Sequence, residues 1–149
     1  EVLGGGDILG EMALLTGEPR IATIRAATTV TVGKIKREDF HGLMQRHPQL
    51  NQRVWCAFAR REFDNHLRAL PAWGHLDRAE RMRWIGECAP EPLQAGEQLV
   101  AGDAVFAFVL MGQVEISGRT YDAPALVPLQ NNASIQATWQ ARVVLLGAP

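Results

Sequence analysis

The chain is short of cysteine, of unbroken apolar runs and of net charge, and each shortage closes off a class of protein. Only two cysteines, Cys56 and Cys88, stand among its 149 residues. That is too few for a disulfide scaffold, and neither has the cysteine–histidine spacing of a zinc site. They lie far apart in stretches expected to be helical, which predicts two reduced, buried thiols in a cytoplasmic chain. No apolar run approaches the roughly 18–20 residues of a membrane span. The opening EVLGGGD has neither the basic start nor the apolar stretch of a secretion signal. Glu1 is not an initiator methionine, so a segment of a longer protein is expected. His41, His47, His66 and His75 form no ligand-like group, and no serine sits in a nucleophile elbow. The chain is therefore not expected to be an enzyme, and no cofactor or metal is implied.

The formal net charge of -1 hides an asymmetry. From Arg20 to Arg83 there are thirteen Lys/Arg against six Asp/Glu, whereas from Glu87 to Asp122 six acids face the single base Arg119. The basic residues are spread along helical faces and are not interleaved with aromatics on a strand. That pattern suits a solvated surface, and direct nucleic-acid binding is not expected.

What is present divides into a glycine-punctuated start, a helical middle and a strand-rich end. Residues 20–35, RIATIRAATTVTVGKI, are rich in Ile, Val and Thr and predict two strands separated near Thr28–Thr29. Phe40, Leu43 and Met44 keep helical spacing, and from Pro48 to Leu70 the apolar positions 50, 54, 55, 58, 59, 63, 67 and 70 predict one long amphipathic helix. LPAWGHLD, residues 70–77, marks the boundary between two parts, 1–70 and 71–149. Asp77 with Glu80 has the form of a capping box opening a helix that runs to about Cys88. After it, turn signals at Ala95–Gly96, Gly102–Asp103, Gly112 and Gly118 separate short strands, as in an all-β barrel.

The chemistry sits in residues 6–23, GDILGEMALLTGEPRIAT. Gly5 and Gly10 have the glycine spacing of a phosphate loop, but Glu11 replaces its lysine and Met12 its hydroxyl. A carboxylate there repels a triphosphate, so that reading fails. A dinucleotide fingerprint fails too, with Leu9 at its last glycine. Gly10 permits close backbone approach, a helix start at EMALL favours an anion, and Arg20 offers a planar fork for phosphate oxygens. Glu11 instead wants a hydroxyl. A singly charged phosphate beside a sugar hydroxyl satisfies all of these.

GEMALLTGEPRIATIRA resembles the phosphate-binding cassette of the cyclic nucleotide-binding domain family. Gly10, Glu11, Ala13, Leu14, Leu15, Arg20, Ala22 and Thr23 match its pattern, and Leu9 replaces the usual aromatic. The resemblance implies that Arg20 pairs with the cyclic phosphate, that backbone N–H groups at Met12–Ala13 and Ala22 also reach it, and that Glu11 accepts from the ribose 2′-hydroxyl while Gly10 makes room for the sugar. Ile21 has no hydroxyl to bond guanine, which favours cAMP over cGMP as ligand. The family's lid helices correspond to the helical middle, where Trp55 or Phe58 could cap the base by stacking and Arg60 by a cation–π contact; equally, Trp55 and Phe58 could belong to the apolar seam.

Residues 71–149 resemble a second copy of the domain. SIQATWQARVVLL aligns with the strands after a cassette, but GRTYDAPALVPLQNNA has no Gly-Glu pair and no arginine in place. The expected fold is mainly β: a cyclic nucleotide-binding-type β-roll, jelly-roll-like, with flanking helices, its first copy truncated and its second degenerate. The first copy begins at its cassette, so either an upstream segment completes that barrel or the strands of residues 90–118 serve it, within the chain or by a swap in a homodimer. Two functions follow. One is a regulatory module that binds a cyclic nucleotide and signals through its helices to an attached channel, transporter, kinase or enzyme, in the cytoplasm or as the cytosolic domain of a membrane protein. The other is a vestigial scaffold for protein interaction or dimerisation.

Overall fold

A computed structural model describes residues 3–17, 19 and 23–148. The chain divides into two compact units, Glu1–Val54 and Trp55–Pro149. The division falls inside a helix, earlier than the residue 70 boundary that the helix-breaking LPAWG suggested. The reason lies in packing: beyond Trp55 that helix turns Phe63 onto strand residue Phe108, with ring centroids 5.3 Å apart, so its larger part is core of the second unit.

The first unit holds α1 (Met12–Leu15), α2 (Arg37–Arg46) and the start of α3 (Pro48–Ala69). Phe40, Met44 and Val54 form its buried cluster, with Leu14, Leu15, Leu43 and Leu50 packed around them. Residues 23–35 form no strand, contrary to the two expected. Their Ile, Val and Thr content is a preference for a pleated, half-buried surface, and it becomes a strand only against a ladder partner. Among the described residues none pairs with this stretch, and Ile24, Val30, Val32 and Ile35 are 60, 60, 67 and 56 % exposed.

The second unit runs from the rest of α3 through α4 (Arg78–Ile85) into eight strands: β1 (Glu91–Leu93), β2 (Gln98–Val100), β3 (Phe106–Met111), β4 (Gln113–Ile116), β5 (Arg119–Asp122), β6 (Ala125–Pro128), β7 (Ser134–Ala137) and β8 (Ala141–Leu146). They make two antiparallel four-stranded sheets, ordered β1-β8-β3-β6 and β2-β7-β4-β5. This is the β-roll expected. The core joins Ala107, Val109 and Val143 of the first sheet to Val114, Ile116, Ile135 and Ala137 of the second. The alternate residues of β3 and β8, Phe108, Leu110, Val144 and Leu146, are buried as well. Buried on both faces, these strands read as nearly continuous apolar runs, FAFVLM and ARVVLL.

Within this unit α3 and α4 are joined by the buried Arg81. Arg81, 6 % exposed, donates from Nε to Asp64 Oδ1 at 2.7 Å and from Nη1 to the Leu76 carbonyl. The expected capping box is present: Glu80 N donates to Asp77 Oδ1 and Asp77 N to Glu80 Oε2, both at 2.8 Å. The helix it opens ends at Ile85, short of Cys88, because Gly86 takes a φ of +44° and turns the chain away. At Gly112 the β3–β4 turn also needs a positive φ, +78°, and a Cβ there would lie 2.0 Å from the Gln140 carbonyl oxygen. Among the described residues no helix is long and apolar enough to cross a membrane.

Candidate functional site

The start of the first unit is a run of local turns. Asp7 folds back on Gly4, its Oδ2 accepting from Gly4 N at 2.7 Å. Gly10 has a φ of +75°, a left-handed conformation costly for any side chain. That kink delivers Glu11 into the unit: its side chain is 2 % exposed, one of two buried charged residues among those described. The Glu11 carbonyl then accepts from Leu14 N and Leu15 N at 2.9 Å, which begins α1. Gly10, Glu11, Met12 and Ala13 are thus one continuous turn, with Ala13 7 % exposed. Arg20, Ile21 and Ala22 lie outside the described residues.

α1 is a single turn of four residues. A single turn aligns few peptide dipoles, so the anion preference expected of its start is weaker than that of a full helix. Two side chains hold the turn closed. Thr16 Oγ1 donates to the Met12 carbonyl at 2.8 Å. Arg37 Nη2 donates to the Ala13 carbonyl at 3.1 Å and so fastens the start of α2 to the turn that carries Glu11. The sequence reading missed Arg37. Its signal was a cation in the first turn of a helix, where the dipole disfavours it; such a residue is held there by something else, here the Ala13 carbonyl.

The three residues read as lid candidates lie in the second unit. Trp55 is 8 % and Phe58 2 % exposed, and their rings meet edge to face at 5.9 Å. The Arg142 guanidinium lies over the Trp55 ring, 3.8 Å from its centroid. Burial lowers the Arg142 pKa from its usual value, and Glu91 opposes that shift. Arg60 donates to the Gly86 carbonyl at 2.9 Å. In the second unit, residues 118–133 form β5, β6 and a tight link to β7, with no helix. Ala133 N closes that link on the Gln130 carbonyl at 3.0 Å.

Residues 1–47 match the model of the cyclic nucleotide-binding domain family. The match contains the whole cassette-like segment. A cyclic nucleotide-gated potassium channel of Mesorhizobium japonicum is 48 % identical over 48 residues, 32 % of this chain and 14 % of the channel. A cAMP-dependent protein kinase regulatory subunit of Eremothecium gossypii is 25 % identical over 161 aligned positions, 97 % of this chain and 33 % of the subunit. The chain therefore spans a third or less of either relative. Among solved structures, the regulatory domain of Toxoplasma gondii PKA with cAMP is similar at a TM-score of 0.45 and 22 % identity, over 99 % of this chain and 61 % of that one.

Proposed function

We propose that the chain is part of a regulatory protein and that its first unit binds a cyclic nucleotide, cAMP in preference to cGMP. The observation that carries this reading is the family match over residues 1–47, together with the buried Glu11 set by the left-handed Gly10. In this reading Glu11 accepts from the ribose 2′-hydroxyl, Gly10 admits the sugar, and Arg20 pairs with the cyclic phosphate beside the backbone of Met12, Ala13 and Ala22. Ile21 offers guanine no hydroxyl. Residues 1–70 are the later part of one cyclic nucleotide-binding domain and 71–149 a degenerate second roll. The Arg37 bond to the Ala13 carbonyl gives the ligand a lever on α2: contacts that move the turn move the helix, and only contacts that differ between two states shift their balance. In this reading Trp55, Phe58 and Arg60 are the candidate lid residues that cap the base. The output is an attached effector, such as a channel or a kinase, acting in the cytoplasm, and the chain itself carries no catalysis.

Calorimetric titration of cAMP and cGMP into the chain and its Arg20→Ala variant tests the reading. Saturable binding is expected, weakened by about 100-fold or more in the variant, the scale for losing one partner of a desolvated charge pair. Absence of binding by the parent chain, with an unchanged fold, would favour the interaction scaffold.

A further inference from the structure

Cys56 and Cys88 are 32 positions apart in sequence, yet they lie side by side in the second unit. Cys56 Sγ donates to the Cys88 carbonyl at 2.6 Å, and Cys88 Sγ lies 4.0 Å from the Cys56 carbonyl. The neighbours explain why. Between α4 and β1 the non-helical segment 86–90 presents every second carbonyl to side chains of α3 and β8. Gly86 O accepts from Arg60, Cys88 O from Cys56 and Pro90 O from Arg142 Nη1 at 3.2 Å. Cys56 and Arg60 are one helical turn apart, about 6 Å along α3. Cys88 and Gly86 are two residues apart, about 6.6 Å in extended chain. The two spacings match when the segment runs antiparallel to the helix, and that fixes the register of the two thiols.

We propose that Cys56 and Cys88 close a reversible disulfide that bolts α3 to the segment entering β1, so that this unit responds to the surrounding thiol–disulfide balance. The inference is independent of ligand binding by the first unit. Both thiols are free, and each Sγ lies within 4.0 Å of the other residue's carbonyl oxygen. Cys56 is half-buried and accessible to a small oxidant, whereas Cys88 is buried. The Cys88 thiol is pushed up to about 12, first by burial and then by the charge and hydrogen bond of Cys56, with Arg60 opposing. Cys56 is therefore the attacking group and Cys88 the resolving one.

The oxidant is a low-molecular-weight disulfide such as oxidised glutathione. Cys56 loses its proton and its thiolate attacks one sulfur; that S–S bond breaks and one glutathione thiolate leaves with the electron pair. Cys88 then loses its proton and attacks the Cys56 sulfur, which expels the second glutathione thiolate. The two leaving thiolates take up the two protons. Two protein thiols are oxidised by two electrons and one small disulfide is reduced.

The test incubates the full chain with oxidised glutathione under native conditions, quenches by alkylation and reads intact mass and peptide map. The expected product is monomeric, about 2 Da lighter than the reduced chain, carries a Cys56–Cys88 peptide and reverts with dithiothreitol. Its thermal midpoint rises by about 10 °C over the reduced form. Cys88→Ser is expected to stop at a glutathione adduct on Cys56, and Cys56→Ser, which keeps a hydrogen-bond donor toward the Cys88 carbonyl, to take none on Cys88. Recovery of both thiols alkylated from the folded parent chain, or of Cys56-linked dimers alone, would overturn the proposal, and neither outcome depends on the variants folding.

Discussion

The two units differ in what orders their chains. The first has Gly10, Glu11 and Ala13 in one turn but, among its described residues, no strand. The second has eight strands in two closely packed sheets, with only the short link 129–133 between β6 and β7. The difference separates two kinds of structure. A turn with a short helix is specified by neighbours in sequence, through a glycine at φ +75° and bonds within a few residues. A strand is specified by a partner elsewhere. Residues 23–35 have the composition of strands and stay irregular, whereas β1 has only three residues and is ordered against β8 through Glu91↔Val143 and Leu93↔Ala141.

The largest effect that would sharpen this contrast is on the second unit. Gly112→Ala places a methyl group against the Gln140 carbonyl in a left-handed conformation, and a loss of about 4 kcal/mol is expected. Urea unfolding followed by tryptophan fluorescence measures it, since Trp73 and Trp84 pack on Phe106 of β3. In the first unit Arg20→Ala is expected to abolish most nucleotide affinity while leaving that unfolding midpoint in place. A large shift of the midpoint would assign Arg20 a structural role instead. Smaller is Asp77→Ala, which removes the cap of α4 and should cost about 1 kcal/mol by the same unfolding assay.

The smallest effect is a pH dependence. His66 packs against Phe108 with ring centroids 5.8 Å apart, and burial lowers its pKa from 6.5. Below the ordinary histidine range the unfolded chain therefore takes up the proton before the folded one does. Stability is full above about pH 6.5 and is lost as pH falls through the lowered folded value. The thermal midpoint is expected to drop on going to about pH 5, and less in His66→Gln; equal drops in the two proteins would assign the dependence to other groups.

Much of the second unit was legible in the sequence because its signals are local. The capping box of Asp77 and Glu80, the end of α3 at Ala69 and the turns at Gly96, Gly102, Gly112 and Gly118 all stand where their residues announce them. The cassette motif was legible for the same reason, and its match to the family over residues 1–47 follows it. What was not legible depends on long-range partners. The strands expected at 20–35 rested on side-chain preference alone. The cysteines looked remote because nothing between them predicts that the chain returns from α4 along α3. The buried pair of Arg81 and Asp64 crosses two helices, and Arg37 meets Ala13 across 24 positions. No periodicity or spacing encodes such meetings.

The link between β6 and β7 has a consequence for protein engineering. It is held by one local bond, Ala133 N on the Gln130 carbonyl at 3.0 Å, and one to the turn after β2, Asn132 N on the Gly102 carbonyl at 2.8 Å, and both sheets close without help from anything inserted there. Lengthening a loop costs little, about 0.6 kcal/mol for each doubling. The roll is thus a chassis with a socket. Splicing the segment 10–23 into it between Leu129 and Ser134 would put that turn on a fully paired roll.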